Sequence, residues 1–553
     1  MKLKYYFIKF TFGLFFIAFL SNLVHAQTTM VWQKCFGGTT TNMFRNMCKT
    51  SDGNYFLMGT YNSAGGSFDS IYGGTDIGLI KIDTNGNEIW AKHYGSVDND
   101  GAASIIKGEG NKHFILGWTK HYGFLNFHGY SGISNDADAY VICIDENGNT
   151  IWEHCYGGFR NYNANSFDTF VDGVFLDSDY LYAVGYTKNS FGGEAGGNYD
   201  PDTTSNATTD ILVCKINKDN GSVVHSQRFG GSKGDSIVNI KVDEDNNLLI
   251  IGGSGSTDYD VPINYGGCDA WMLKIDSSLN VLDSKIWGGL SNDMLYDVFP
   301  RKDKGYDFFG WTSNHDTLTG NLNFIVPGFA LLMHIQTDSN HQSVLQNTFA
   351  CGIGNMNFVG AGGNHVIRTK DNGYIVMDFS NPANCLFYPY TDGHTIFVKI
   401  DSLGNQEWIV RYGCTTGNGV YDYPRCIIGL ENDKLIVGSQ GHTDTNNFCS
   451  TPGVNPYSMW NIYKLKINPV ITYAPEILNN QEMLFYPNPA NDILFIQGLN
   501  NSATAEIYNI SGALVKSENL IKDNIDIHSL SPGMYFIKLS TGEVSVVSKF
   551  VKE

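Results

Sequence analysis

Val31-Trp32-Gln33-Lys34-Cys35-Phe36-Gly37-Gly38 near the start of the chain and Lys466-Ile467-Asn468 far downstream are two halves of one unit. Between them a unit of roughly 60 residues recurs, and a period of that size signals a repeat architecture. Each unit pairs a strand ending in aromatic-Gly-Gly with a later strand ending in Lys-Ile-Asp. The first element stands at Phe36-Gly37-Gly38, Tyr94-Gly95, Tyr156-Gly157-Gly158, Phe229-Gly230-Gly231, Trp287-Gly288-Gly289, the degraded Phe349-Ala350-Cys351-Gly352 and Tyr412-Gly413. The second stands at Lys81-Ile82-Asp83, Cys143-Ile144-Asp145, Lys215-Ile216-Asn217, Lys274-Ile275-Asp276, His334-Ile335-Gln336, Lys399-Ile400-Asp401 and Lys466-Ile467-Asn468. In the middle units Lys-Ile-Asp turns back into the strand that leads to aromatic-Gly-Gly. The strand Val31–Phe36 has no Lys-Ile-Asp before it, and Lys466-Ile467-Asn468 has no returning strand after it. Each orphan complements the other, so the N-terminal strand is expected to complete the sheet begun by the C-terminal repeat. Such closure removes free sheet edges.

Within the first unit the strand candidates are Met43–Lys49, Tyr55–Gly59, Gly78–Ile82 and Glu88–His93. All are short, rich in β-branched and aromatic residues, and bounded by Gly, Asn, Asp and Ser. Asp83-Thr84-Asn85-Gly86-Asn87 joins the last two, and Asn-Gly is a strong hairpin signal because both residues tolerate positive φ. Four strands per unit, seven times over, predict an all-β protein with a seven-bladed β-propeller over residues 27–469. A β-solenoid would not need matching orphans.

The ends of the chain read differently. Lys2, Lys4 and Lys9, the apolar run Phe10–Leu20 and the small residues before Ala26 describe a secretory signal peptide over residues 1–26. Its apolar core is shorter than the ~20 residues a membrane span needs, and no later stretch is long and apolar enough, so no span is expected in the mature chain. A linker, residues 470–482, precedes a last segment, 483–553, with strand candidates Ile493–Gln497, Thr504–Asn509, Leu514–Ser517, Asn524–Ile527, Met534–Leu539 and Val544–Val551. That alternation predicts a small Ig-like β-sandwich.

This segment carries Tyr486-Pro487-Asn488-Pro489, Glu506-Ile507-Tyr508-Asn509 with a turn at Ser511-Gly512, Ile525-Asp526-Ile527-His528-Ser529-Leu530, Pro532-Gly533-Met534-Tyr535 and Lys549-Phe550-Val551-Lys552. As a set these marks resemble the type A sorting domain of the type IX secretion system of Bacteroidota. The resemblance implies recognition by that machinery, passage through the periplasm, and release or attachment at the outer cell surface. On that resemblance Tyr486, Pro487, Asn488, Pro489, Gly512, Gly533, Tyr535 and Lys549 carry the sorting motif. The repeats look more loosely like those preceding such domains in other secreted Bacteroidota proteins, through Thr50-Ser51-Asp52-Gly53-Asn54-Tyr55 and Thr369-Lys370-Asp371-Asn372-Gly373-Tyr374.

The net charge of −19 argues against nucleic acid and anionic lipid as partners and favours solubility outside the cell. Eleven cysteines on an exported path allow disulfides but leave at least one thiol over, and the absence of Cys-x-x-Cys argues against a zinc site. Seven residues before the end of each Lys-Ile-Asp stands Asp76, Asp138, Asp210 or Asp269, replaced in the last three units by Phe329, His394 and Asn461. Equivalent positions in a propeller ring one axis, so these four acids are candidates to bind a cation or sugar hydroxyls. The simpler account has each accept backbone N–H bonds at a turn. The Asp-Thr-Asn-Gly-Asn loops offer oxygens as calcium loops do but lack a bidentate Glu at the twelfth position, which leaves metal binding open. The seven arginines are scattered, without the cluster that recognises a substrate carboxylate. No catalytic residues stand out and no cofactor is expected. The expectation is a secreted or surface propeller acting as a non-catalytic binding or adhesion module, with an extracellular glycan or protein as partner. The long polar insertions 186–209, 315–327 and 441–457 are its expected contact surface. The rival is a glycan-active hydrolase or lyase working in the central funnel.

Overall fold

The computed structural model describes residues 27–38, 42–121, 124, 127–128, 136–160, 166–188, 190–191, 193–195, 208–313, 320–322, 330–353, 364–380, 394–412, 422–430, 434–441, 459–468, 484–487, 489–497, 503–509, 514–520, 524–541 and 544–553. Most of the three long insertions therefore lies outside the described residues. The chain divides into two compact units, Met1–Pro469 and Val470–Glu553.

In the first unit seven four-stranded antiparallel sheets follow one another. The first contains Asn42–Lys49, Tyr55–Tyr61, Asp76–Ile82 and Glu88–Tyr94, in that order across the sheet. The next five repeat this order, beginning at Asp100, Phe167, Asp235, Asp293 and Val366. The seventh sheet is built from both ends of the unit: Asp422–Gly429, Lys434–Gly441 and Met459–Asn468 are completed by Gln27–Phe36. That strand pairs antiparallel from Gln27↔Asn468 to Phe36↔Trp460, with one bulge between Met30 and Trp32. The orphan strands thus find each other. The first strand of each sheet packs on its neighbours, and the strand Asn42–Lys49 also packs on the seventh sheet, so the sheets close into a ring.

Hydrophobic layers between neighbouring sheets hold the ring together. Between the seventh and first sheets Trp460, fully buried, meets Phe44 and Phe68 edge-on at ring-centre distances of 5.9 and 5.8 Å. The hairpin loops behave as their Asn-Gly content predicts. Asp83 Oδ1 accepts the N–H groups of Asn85 and Asn87, each at 2.8 Å, and Gly86 has φ +80°. Asp145, Asp276 and Asp401 repeat that clasp. One feature escapes prediction from alternation alone: the first strand carries a β-bulge in six of the seven sheets, at Arg45, Ala103, Val171, Val238, Tyr296 and Arg425. A bulge adds one residue opposite none on the partner strand and re-aims its side chain.

The second unit is a sandwich of a three-stranded sheet, Leu484–Tyr486, Ile493–Gln497 and Asn524–Asp526, and a four-stranded sheet in the order Leu514–Leu520, Ala503–Asn509, Gly533–Thr541 and Val544–Lys552. Leu494, Ile496, Ile507, Ile525, Ile537 and Phe550 fill it. Leu484–Tyr486 is a strand that alternation did not predict, being only three residues long.

Two stability predictions follow from the closure. Trp460→Ala removes a fully buried indole and should cost about 3–5 kcal/mol, read by chemical unfolding of the purified chain. Deleting Gln27–Phe36 should lower the melting temperature and promote association through the bared strand Met459–Asn468; an unchanged melt would show that this strand does not close the ring.

Candidate functional site

Asp76, Asp138 and Asp269 open the third strand of their sheets, Asp210 is the second residue of its own, and all four are buried. Asp76 accepts the N–H of Tyr72 at 2.6 Å, and Asp269 accepts that of Tyr265. Asp138 takes both the N–H of His128 at 2.6 Å and its Nδ1 at 3.0 Å. Asp210 lies 3.8 Å from Arg228 Nη1. Among the described residues no three acidic, histidine or cysteine side chains gather where they would hold a metal ion. Asn461 stands at the equivalent place in the seventh sheet and accepts Gln33 Nε2 at 2.9 Å. Phe329 and the His394 side chain lie outside the described residues.

Each of the four acids is met by a second one that sequence reasoning overlooked. The first strand of the following sheet opens with Asp100, Asp235 or Asp293, with Asn42 at the closure, or has Asp168 as its second residue, each fully buried. These side chains grip the turn that ends the preceding sheet. Ser96 N–H donates to Asp100 at 2.6 Å, Gly158 to Asp168 at 3.0 Å, Gly231 to Asp235 at 2.7 Å, Gly289 to Asp293 at 3.0 Å and Gly38 to Asn42 at 2.8 Å. The glycine of the aromatic-Gly turn is demanded by that grip. Gly95 has φ +134°, and a Cβ on it would lie 2.6 Å from Asp100 Oδ2. A Cβ on Gly230 would meet Asp235 Oδ2 at 2.6 Å and Asp210 Oδ1 at 3.0 Å. The signal was present in the sequence: an Asp or Asn four residues beyond the second turn position, displaced by an insertion only at Asp168.

A different set of polar residues runs along the inner strands. Cys426 Sγ contacts Asn46 Oδ1 at 3.5 Å, Asn46 Nδ2 donates to Ser104 Oγ at 3.0 Å, and Ser104 Oγ donates to Asp172 Oδ1 at 2.9 Å. Farther round, Lys241 Nζ donates to Asn364 Oδ1 at 3.0 Å and lies 3.8 Å from Asp297. Burial pushes the Asp172 carboxyl up to about 6, while Lys241 pulls it down. Polar contacts thus link the seventh, first, second and third sheets, and Lys241 of the fourth sheet lies near Asp297 of the fifth.

The bulges at Arg45 and Arg425 put two guanidinium groups near this path. Burial lowers the pKa of Arg45 and pushes that of Arg425 down to about 10, and the Arg45 charge adds to the effect on Arg425. Burial raises the pKa of the Tyr186 hydroxyl in the third sheet, and the Arg45 charge opposes that shift. Arg45 Nη2 reaches Met43 Sδ at 4.0 Å, and its buried Nε has no hydrogen-bond partner. Tyr186 stacks on Phe167, which meets Trp118, at ring-centre distances of 6.1 and 5.7 Å. A cleft of about 490 Å³ lies between the sixth and seventh sheets and includes Lys399 and Trp408. There Lys399 is already paired with Asp371 at 2.8 Å and Glu407 at 3.1 Å. The arginines are few and far apart in sequence, yet the ring closure brings Arg45 and Arg425 onto adjoining inner strands.

Six of the cysteines, Cys48, Cys143, Cys155, Cys214, Cys268 and Cys426, are free thiols, and Cys35 is disulfide-bonded. In the sandwich Tyr486, Pro487 and Pro489 are exposed and the Tyr486–Pro487 bond is cis, while Tyr535 is buried, stacks on Phe550 at 5.7 Å and donates to Ser531 O at 2.8 Å. Gly533 opens the strand bearing Tyr535, and Lys549 pairs with Phe536 on the neighbouring strand. Asn488 and Gly512 lie outside the described residues.

A ring of four-stranded sheets followed by a sandwich defines an all-β, propeller-type protein with a small accessory domain. Residues 484–553 match the family described as the secretion system C-terminal sorting domain, so the chain carries that domain and is exported by the type IX secretion system to the cell surface or the extracellular space. No curated protein matches the chain. Among solved structures it is similar to PorZ, a surface component of the type IX secretion system of Porphyromonas gingivalis, at 11% identity over 93% of this chain and 82% of that one, with a TM-score of 0.23. It is similar to the NanB sialidase of Streptococcus pneumoniae at 13% identity, over 80% of this chain and 71% of that one (TM-score 0.37). A puromycin hydrolase is matched at 9% identity over 85% of this chain and 59% of that one, with a TM-score of 0.42. Among the described residues no helix is long and apolar enough to cross a membrane.

The buried acids give the ring a defined pH response. Burial raises Asp100, Asp235 and Asp269 to about 6 and Asp293 to about 7. Unfolded, such carboxyls titrate near about 3.9. Between those values the folded chain binds more protons than the unfolded one, so stability falls as pH rises through the window from about 4 to 7. Acids with lowered pKa, such as Asp371 at about 2, withdraw support only below it. In metal-free buffer the melting temperature should be higher at about pH 5.5 than at about pH 8; a flat profile would refute the burial argument. The turn makes a separate prediction. Gly95→Ala should cost about 1–3 kcal/mol and clearly exceed Gly53→Ala, also at positive φ (+86°) but with nothing within 4 Å of the added carbon.

Proposed function

We propose that this exported propeller is a non-catalytic binding module whose ligand, an acidic extracellular glycan, delivers a carboxylate or sulfate to Arg45 at the axis. The observation that carries the reading is the Arg45 guanidinium, with a buried Nε that has no hydrogen-bond partner, beside the like charge of Arg425. Two adjacent cations held out of water repel one another, and an anion between them would relieve that cost and accept directional N–H bonds. The aromatic series Trp118, Phe167 and Tyr186 supplies apolar faces for sugar rings. The chain's negative charge supports selectivity, because it repels polyanions everywhere except where arginines focus a positive field. In this reading the leader 1–26 directs entry to the periplasm, the sandwich is the export signal, and residues 27–469 are the delivered module.

Purified chain should retain polyuronates or sulfated glycans and ignore neutral polymers on affinity electrophoresis. Arg45→Gln should weaken retention at least about tenfold, the loss expected from a charged hydrogen bond, without lowering the melting temperature. Equal retention of neutral and acidic polymers would contradict the proposal. Release of reducing ends in the same assay would establish the rival hydrolase or lyase instead.

A further inference from the structure

The junctions between sheets solve one electrostatic problem in different ways. At each, the acid or amide near the start of a third strand lies beside the one near the start of the next first strand. Backbone bonds fix that placement: Asp100 N–H to Thr75 O at 2.8 Å, Asp168 to Ala137 at 2.8 Å, and Asp293 to Cys268 at 2.6 Å. In each case the acceptor is the residue just before the third-strand acid. Two parallel bridges, Thr75↔Asn99 and Ala137↔Phe167, confirm the alignment. Two buried carboxylates side by side cannot both stay ionised without a compensating charge.

At the closure the chain avoids the problem with amides, Asn461 and Asn42. At Asp210–Asp235 it supplies Arg228, itself 4% exposed. At Asp138–Asp168 it supplies His128, whose pKa the facing carboxylates raise although burial opposes them. At Asp76–Asp100, His93 bears on Asp76. The position of Arg228 and His93, just before the turn aromatic, is Ile286 at the fourth junction. There Asp269 and Asp293 are both 0% exposed, and no basic side chain pairs with either among the described residues. Asp269 Oδ1 and Asp293 Oδ1 are buried without a hydrogen-bond partner, as Asp76 Oδ1 and Asp100 Oδ1 are at the first junction, so what sets the fourth apart is the lack of a basic side chain. The opposite oxygens are held by the N–H groups of Tyr265 and Gly289, and the Thr312 hydroxyl also bonds to the Asp293 carboxyl.

We propose that the junction between the fourth and fifth sheets binds a calcium-class divalent cation through Asp269 Oδ1 and Asp293 Oδ1. Backbone carbonyls and water complete an oxygen shell, which suits Ca2+ at the concentrations found outside cells. The cation does for this junction what Arg228 does for its neighbour.

The test uses the full chain stripped with chelator and titrated with CaCl2 at about pH 7.5, followed by calorimetry and thermal melting. Wild type should bind one Ca2+ per chain at this site with Kd below about 1 mM and melt higher. The double variant Asp269→Asn, Asp293→Asn copies the amide pair of the closure and should fold, lose that binding event and show no calcium shift at this site. Asp76→Asn with Asp100→Asn should keep both. Absence of saturable binding to wild type, or undiminished binding to the first variant, would overturn the proposal. None of these outcomes bears on Arg45 and glycan binding.

Discussion

The structure of the repeat unit depends on one hydrogen bond made several times over: a buried side-chain oxygen on one sheet accepts the turn N–H of the sheet before it. Folding four strands into a sheet is a local problem, solved by alternation and Asn-Gly hairpins. Setting consecutive sheets at a fixed relation is not local, and a hydrophobic layer alone tolerates sliding. A buried oxygen that must find its donor does not, since an unmet partner costs about 1–3 kcal/mol. The same bond explains the glycine, whose missing Cβ makes room for the carboxylate, and the aromatic before it. Tyr94 and Tyr156 pack between sheets and send their hydroxyls to the hairpins at Gly148 and Gly221.

That dependence also explains how much could be read from the sequence. The motif is a contact written in residues, so wherever the contact is made the motif survives, and Phe36 and Lys466 reveal the closure because each lacks its other half. The sandwich was legible for the same reason, through turn and strand chemistry concentrated in a short stretch. The third-strand acids Asp76, Asp138, Asp210 and Asp269 were visible as a series. Their partners Asp100, Asp168, Asp235 and Asp293 were not, because they belong by sequence to the next unit and by space to the previous one.

The axial arginines were illegible for a deeper reason. Arg45 and Arg425 sit on strands almost a full chain apart, and each projects from a bulge, a one-residue shift that alternation does not announce. The chain's scattered arginines suggested the lack of an anion site, whereas closure of the ring is what assembles two of them. Both proposals therefore rest on departures from the repeat: a bulge bearing Arg45 instead of Ala103 or Val171, and Ile286 where Arg228 stands one sheet earlier. The export domain is a separate unit with its own core, consistent with a signal that is read independently of the module it delivers.

The central claim, that buried side-chain oxygens lock each sheet to the next through the turn amides, is tested most directly by native-state hydrogen exchange. The account predicts that the amides of Ser96, Gly158, Gly231 and Gly289 exchange only with global opening of the ring, as slowly as strand amides beside them. Exchange at the rate of the open turn at Gly53 would show that the carboxylates do not hold these turns, and would contradict it.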